Sequence, residues 1–261
     1  LLQILSLTTI WSTAPSLFLT QLSFVVVGIL IVFFVSKIDT TLLFSLSKFW
    51  YVLSIFLLII TYFVGRNVRG SVRWIDFGFY NLQTSEIIKP LLSVYFASYI
   101  SQKSLHKAKE IFLFLVTALV PVIIVAKQPD LGSALTLLFL PISLLAVSGY
   151  FKKIISFTLI FLIIAIPLES KLLKPYQKER LETFVNPYRD PKGAGYNVIQ
   201  ATIAVGSGGI FGKGVRLGTQ SHLNFLPERH TDFIFASFAE EFGLVGILVV
   251  FAAFYSIFKN C

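Results

Sequence analysis

The stretch Leu226-Pro-Glu-Arg-His-Thr-Asp232 gathers two carboxylates, a guanidinium and an imidazole, then runs straight into an apolar segment from Phe233. Ionisable groups at the edge of hydrocarbon are expensive to keep and mark a functional site by default. Asp232 reads in two ways. As a capping acid it would sit on the positive end of the following helix, with His230 and Thr231 as ordinary loop residues. As a general base it would take a proton from a hydroxyl within hydrogen-bond reach.

Other charged residues have similarly paired readings. Glu86 and Lys89, in Gln83-Thr-Ser-Glu-Ile-Ile-Lys89, share a helix face three residues apart. They form either an internal ion pair that lets two charges sit in a membrane or a contact to a substrate. Glu240 and Glu241 fall about 12 Å beyond Asp232 by helical rise. At that depth they need a cation or a proton, and Lys89 is the candidate partner. Trp74, flanked by Arg73 and Asp76, is an interfacial belt residue or a stacking surface for a sugar or headgroup. Lys127 and Asp130 stabilise a tight turn or contact an anion.

The elements that must position these groups are apolar helices. Of 261 residues, 56% are hydrophobic and only 13% charged, against about 25% charged in soluble domains. With roughly 20 apolar residues per crossing, spans are expected near 16–36, 42–63, 83–100, 110–126, 131–149, 154–168 and 233–258. Leu1 to Ser12 reads as the tail of an eighth. The expectation is therefore a single integral membrane domain over 1–261, all-α, a polytopic bundle of about eight spans, and a fragment of a longer protein. Consecutive spans alternate direction, so the loops near 64–82, 127–130 and 169–232 share one face. The opposite short loops carry Lys37, Lys103, Lys107, Lys109, Lys152 and Lys153, which places them in the cytoplasm and the motif-bearing loops outside.

The long outer loop, 169–232, mixes basic and apolar residues over 171–185 as an interfacial helix does, and 196–205 is apolar enough to dip into the headgroup region. Gly206 to Gly214 fails as a P-loop, because Ser207 stands at the first required glycine and Gly214 at the required Ser or Thr; it reads as a flexible turn with one exposed lysine, Lys213. His222 and His230 lack the spacing of common zinc sites. A single cysteine, at position 261, excludes a disulfide framework. The net charge of +9 suggests an anionic partner, lipid headgroups or a phosphorylated substrate. Nucleic acid is excluded, because the basic residues form no single stripe.

Several stretches together resemble the SEDS family of bacterial cell-wall polymerases. They are Arg73-Trp74, Ser85-Glu-Ile-Ile-Lys89, Lys127-Gln-Pro-Asp-Leu-Gly-Ser-Ala-Leu135, Gly193-Ala-Gly-Tyr-Asn-Val-Ile-Gln200, Gly206 to Gly214, and Gly218-Thr-Gln-Ser221 through Phe235. The Gly-Thr-Gln-Ser form and the Asn-Pro…Asp-Pro run at 186–191 are more similar to the RodA elongation branch than to the FtsW division branch. Thr84 departs from the proline usual there, and the family has about ten spans.

The resemblance implies a peptidoglycan glycosyltransferase in the bacterial cytoplasmic membrane. It would polymerise lipid II on the outer face for elongation and rod shape and release undecaprenyl pyrophosphate, in partnership with a class B penicillin-binding protein. By similarity Asp232 is the catalytic carboxylate, and Arg69, Arg73, Trp74, Glu86, Lys89, Lys127, Lys213, Glu228 and His230 are candidate substrate contacts. An inverting transfer needs a base for the attacking hydroxyl, as in inverting glycosidases. It also needs positive charge on the departing pyrophosphate, from Arg and Lys or from a divalent cation such as magnesium or manganese. No cofactor is fixed by the residues. The alternative function is a lipid-linked-precursor flippase, whose polar residues should continue along a path between both faces.

Overall fold

The computed structural model describes residues 1–68, 71–76, 78, 81–103, 105, 108–128, 130–150, 179, 182–193 and 195–259. The span expected at 154–168 and most of the interfacial helix expected at 171–185 lie outside these residues. The chain divides into two compact units, Lys37–Leu168 and a second made of Leu1–Ser36 with Glu169–Cys261.

In the first unit, α3 (Thr40–Ser45) and α4 (Ser47–Val64) are followed by β1 (Arg66–Val68), β2 (Ser71–Asp76) and β3 (Asn81–Gln83), then α5 (Thr84–Gln102), α6 (Ala108–Lys127) and α7 (Leu131–Leu145). Carboxylates start two of these helices: Asp39 accepts from Thr41 N and Asp130 from Ser133 N. Leu58, Ile88, Leu92, Phe96, Phe114 and Val125 form the buried core. Hydroxyls in this apolar setting return to carbonyls one turn back, Ser54 to Trp50 and Thr61 to Leu57. Thr61 Oγ1 also shares a hydrogen bond of 2.9 Å with Thr84 Oγ1, so the threonine that departs from the family pattern closes the buried start of α5.

The strands form an antiparallel sheet, β1-β2-β3, with Trp74 opposite Gln83 and Arg66 opposite Trp74. The short, charged outer loop of the sequence reading is thus a small sheet. Its periodicity is too brief to register against the flanking helices, since β1 and β3 have three residues each.

The second unit contains α1 (Leu2–Thr13), α2 (Phe18–Val35), α8 (Tyr196–Ser207), α9 (Thr219–His222) and α10 (Ile234–Lys259). The segment expected to dip into headgroups is α8, and it packs on α10. Ala204 of α8, Leu226 and Ala236 are buried together.

Helices carry the architecture. Among the described residues five are long and apolar enough to cross a membrane: Pro15–Val35, Ser47–Val64, Lys109–Lys127, Gly132–Tyr150 and Ile234–Lys259.

Candidate functional site

The second unit is organised around a break in α10. Gly243 has φ 63° and ψ −161°, a conformation that side-chain-bearing residues avoid. The break frees carbonyls on one side and amides on the other, groups that hydrocarbon does not tolerate unpaired. The segment Gly206 to Gly214 supplies both kinds of partner. Lys213 N and Gly214 N donate to the carbonyls of Glu240 and Glu241, each at 3.0 Å, while Leu244 N and Val245 N donate to Gly209 O and Ile210 O at 2.9 and 3.1 Å. A Cβ on Gly212, itself at φ +79°, would lie 2.1 Å from Glu241 O. These glycines therefore build a clasp on a broken helix. The flexible turn of the sequence reading is corrected, and so is the exposure of Lys213, whose side chain is only 26% accessible.

The two carboxylates beside the break are wholly enclosed and divide the neighbouring donors between them. Glu240 Oε1 accepts from Lys213 Nζ at 2.8 Å, Thr219 Oγ1 at 3.2 Å and Gln220 N at 2.9 Å; Oε2 accepts from Ser221 N and Ser221 Oγ at 3.2 and 3.0 Å. Glu241 Oε1 takes Ser12 Oγ, Arg216 N at 3.1 Å and His222 Nε2 at 3.0 Å. The expected partner, Lys89, instead holds both oxygens of Glu86 at 2.7 and 2.8 Å. Lys213, on the Gly-rich clasp, supplies the cation for Glu240.

Two arginines secure the same region to the C-terminal turn of α1, where free carbonyls favour positive charge. The Arg216 guanidinium lies 4.1 Å from the Trp11 ring centre. Arg229 donates through Nε to Thr13 O at 3.2 Å and through Nη1 to Asn224 Oδ1. Sequence reasoning missed Ser12, Arg216, Thr219, Gln220 and Ser221. The one signal for them was the demand of two adjacent acids inside an apolar helix for donors from somewhere.

From α9 the chain reaches the acidic stretch through Leu226, fully buried, whose N–H donates to Gln220 O at 3.0 Å. Glu228 then takes φ 48°, and its carbonyl accepts from Thr231 N and Phe233 N at 3.1 and 3.2 Å. Its carboxylate accepts from Thr231 Oγ1 at 3.2 Å. Ser237 Oγ ties Arg229 O to the first turn of α10 at 3.2 Å. Main-chain and neighbouring groups thus complete the turn, and Asp232 is left exposed, accepting no hydrogen bond from the start of α10 among the described residues. An acid that caps nothing yet sits on a fixed turn is available to an incoming hydroxyl. Glu228, His230 and Asp232 share this one turn, with His230 half-buried.

The remaining candidates belong to the other unit. Glu86 and Lys89 form the ion pair that their spacing allows, on the first turn of α5. Lys127 is exposed at the end of α6. Arg73 and Trp74 lie in β2, Trp74 half-buried; the Arg73 side chain and the whole of Arg69 fall outside the described residues. Nearby, the Gly78 N–H and the Arg66 guanidinium hold the Asp76 carboxyl below the usual carboxylate range. No group of three or more His, Cys, Asp or Glu side chains placed to hold a metal occurs among the described residues.

A family model described as cell cycle protein, covering FtsW, RodA and SpoVE, matches residues 2–260. The chain is 38% identical to peptidoglycan glycosyltransferase MrdB of Escherichia coli K12 over 88% of its length and 63% of that protein's. It is 35% identical to a probable peptidoglycan glycosyltransferase FtsW of Buchnera aphidicola subsp. Baizongia pistaciae, over 88% and 62%. The chain therefore spans less than two thirds of the length of these curated relatives. Among solved structures, one described as the structural coordination of polymerization and crosslinking by a peptidoglycan synthase complex aligns with TM-score 0.80 at 26% identity, over 99% of this chain and 73% of that one. The rod shape determining protein RodA of Thermus thermophilus shares the fold, with TM-score 0.66 at 24% identity over 99% and 70%.

Proposed function

Because this chain belongs to the FtsW/RodA/SpoVE family and is a multi-pass membrane protein, we propose that it is the catalytic part of a peptidoglycan glycosyltransferase. In this reading it polymerises lipid II into glycan strands on the outer face of the cytoplasmic membrane, for cell elongation and rod shape. The observation that carries the reading is Asp232, an exposed carboxylate that accepts no hydrogen bond among the described residues, on a turn fixed by Glu228, Arg229 and Ser237. Asp232 removes the proton from the acceptor sugar hydroxyl as its oxygen attacks the donor's anomeric carbon. The bond from that carbon to the pyrophosphate oxygen breaks with inversion, and undecaprenyl pyrophosphate departs. Lipid anchoring of both reactants at one surface lowers the entropic barrier to their meeting.

Arg69, Arg73, Lys89 and Lys127 supply positive charge to the leaving group in this proposal, Lys89 while oriented by Glu86. Trp74 offers a face to sugar, and His230 and Glu228 line the approach to Asp232. The relative from a peptidoglycan synthase complex supports a class B penicillin-binding protein as the partner that crosslinks the product.

The test is polymerisation of purified lipid II by the full-length protein and its Asp232→Asn variant. The reading requires glycan strands from the parent and a loss of at least about a hundredfold in the variant, the lower range for removal of a general base. Strands made at the parental rate by Asp232→Asn would reject it. Flux of labelled lipid across liposomes regardless of Asp232 would favour the flippase.

A further inference from the structure

We propose that Lys213 and Glu240 act as a positioning clamp for the turn that carries Asp232, and that Lys213 does not contact the substrate. The inference rests on the glycosyltransferase reading for its link to catalysis, but the clamp itself is a matter of geometry. Lys213 Nζ is committed to Glu240 Oε1 and to Thr219 Oγ1, both at 2.8 Å. Through the same carboxylate the 219–221 turn is held by two main-chain amides and two hydroxyls. Gly218 leaves the space for this approach: a Cβ there would lie 2.7 Å from Glu240 Oε2.

The clamped turn passes its position on. Gln220 O accepts from Leu226 N, Leu226 is sealed against Ala204 and Ala236 with Phe233 packed alongside, and two residues later Glu228 begins the turn that ends at Asp232. From Glu240 back to Asp232 the helix itself supplies the second anchor, since Ser237 holds Arg229 O. The loop is thus fixed at both ends to one helix. With two of its three N–H donors taken and its charge balanced by the buried Glu240 carboxylate, Lys213 is a poor pyrophosphate ligand.

The experiment compares Lys213→Met, Glu240→Gln and the double variant in the full-length protein, by lipid II polymerisation kinetics and by hydrogen exchange of peptides covering 218–233. Residues that act as one unit lose activity together and not multiplicatively. Each single variant should lose about tenfold or more in kcat with KM for lipid II within about twofold, and the double should be no worse than the worse single. Exchange at 219–233 should rise about tenfold or more in both singles, while peptides over 250–258 keep the parental rate. Lys213→Arg, which preserves the charge, should restore most of the activity.

If either single variant fails to fold, Ser221→Ala removes one hydroxyl from the clamp and should show the same pattern, smaller in size. The clamp is overturned by a rise in KM with kcat retained for Lys213→Met, by multiplying losses in the double variant, or by unchanged exchange at 219–233. An active Asp232→Asn protein would instead sink the catalytic reading while leaving the exchange result to judge the clamp by itself.

Discussion

Glu240 Oε1 and Lys213 Nζ stand 2.8 Å apart, separated by 27 positions in the chain, with the carboxylate completely closed off from solvent. A buried pair of this kind adds little over an apolar core, yet losing one member is severe because the other charge stays behind. Glu240→Ala would leave the Lys213 ammonium and the donors of Thr219, Gln220 and Ser221 without their acceptor. The expected loss of stability is about 3–5 kcal/mol, read as a lowered midpoint of unfolding in detergent.

The clasp on the broken helix makes a second expectation specific to one position. Gly212→Ala places a methyl carbon against Glu241 O and forces a left-handed residue, which should destabilise by about 2 kcal/mol or more. Gly28→Ala, in the middle of α2 with nothing within 4 Å of the added carbon, should be neutral or stabilise by up to about 1 kcal/mol. Thermal unfolding of the two proteins side by side checks the contrast.

For Lys89 the two readings of the sequence separate by measurement. Its partner Glu86 is 54% accessible, and exposed pairs contribute about 0–1 kcal/mol. Lys89→Met should therefore barely change the unfolding midpoint, while lowering kcat/KM for lipid II by about tenfold or more, as a lost contact worth about 1.4 kcal/mol in the transition state would. A marked fall in the midpoint with kcat/KM retained would make the pair structural.

The small sheet carries a pH dependence of known sign. Asp76 has its pKa depressed by the Gly78 N–H and by Arg66. The stability it contributes is present above the ordinary carboxyl value and is lost as pH falls through the depressed folded value. Fluorescence of Trp74, with Trp11 and Trp50 replaced by Phe, should report loosening of the sheet below about pH 4. Asp76→Asn should remove that transition.

The long apolar runs announced five of the crossing helices, because run length and composition are local properties. The same locality hid the rest. Gly243 sits between Phe242 and Leu244 and looks like any glycine of a membrane helix; its break is visible only with Gly209 and Ile210 beside it. The Gly-rich run announced a turn but not the helix it grips. At the site, the cluster 226–232 was legible from charge density alone, and Glu86–Lys89 from spacing. The partners of Glu240 and Glu241 were not, since Ser12 lies 229 positions from the carboxylate it serves, and no sequence period connects them.

The interruption at Gly243 also bears on how the protein reaches its bilayer. A segment leaving the translocon with open amides and carbonyls at mid-length is a poor guest for lipid until something closes the gap. Docking of residues 206–214 is then a biogenesis step, completed during or just after insertion. Substitutions at the glycines of that run should surface as low yield or proteolytic loss in the cell.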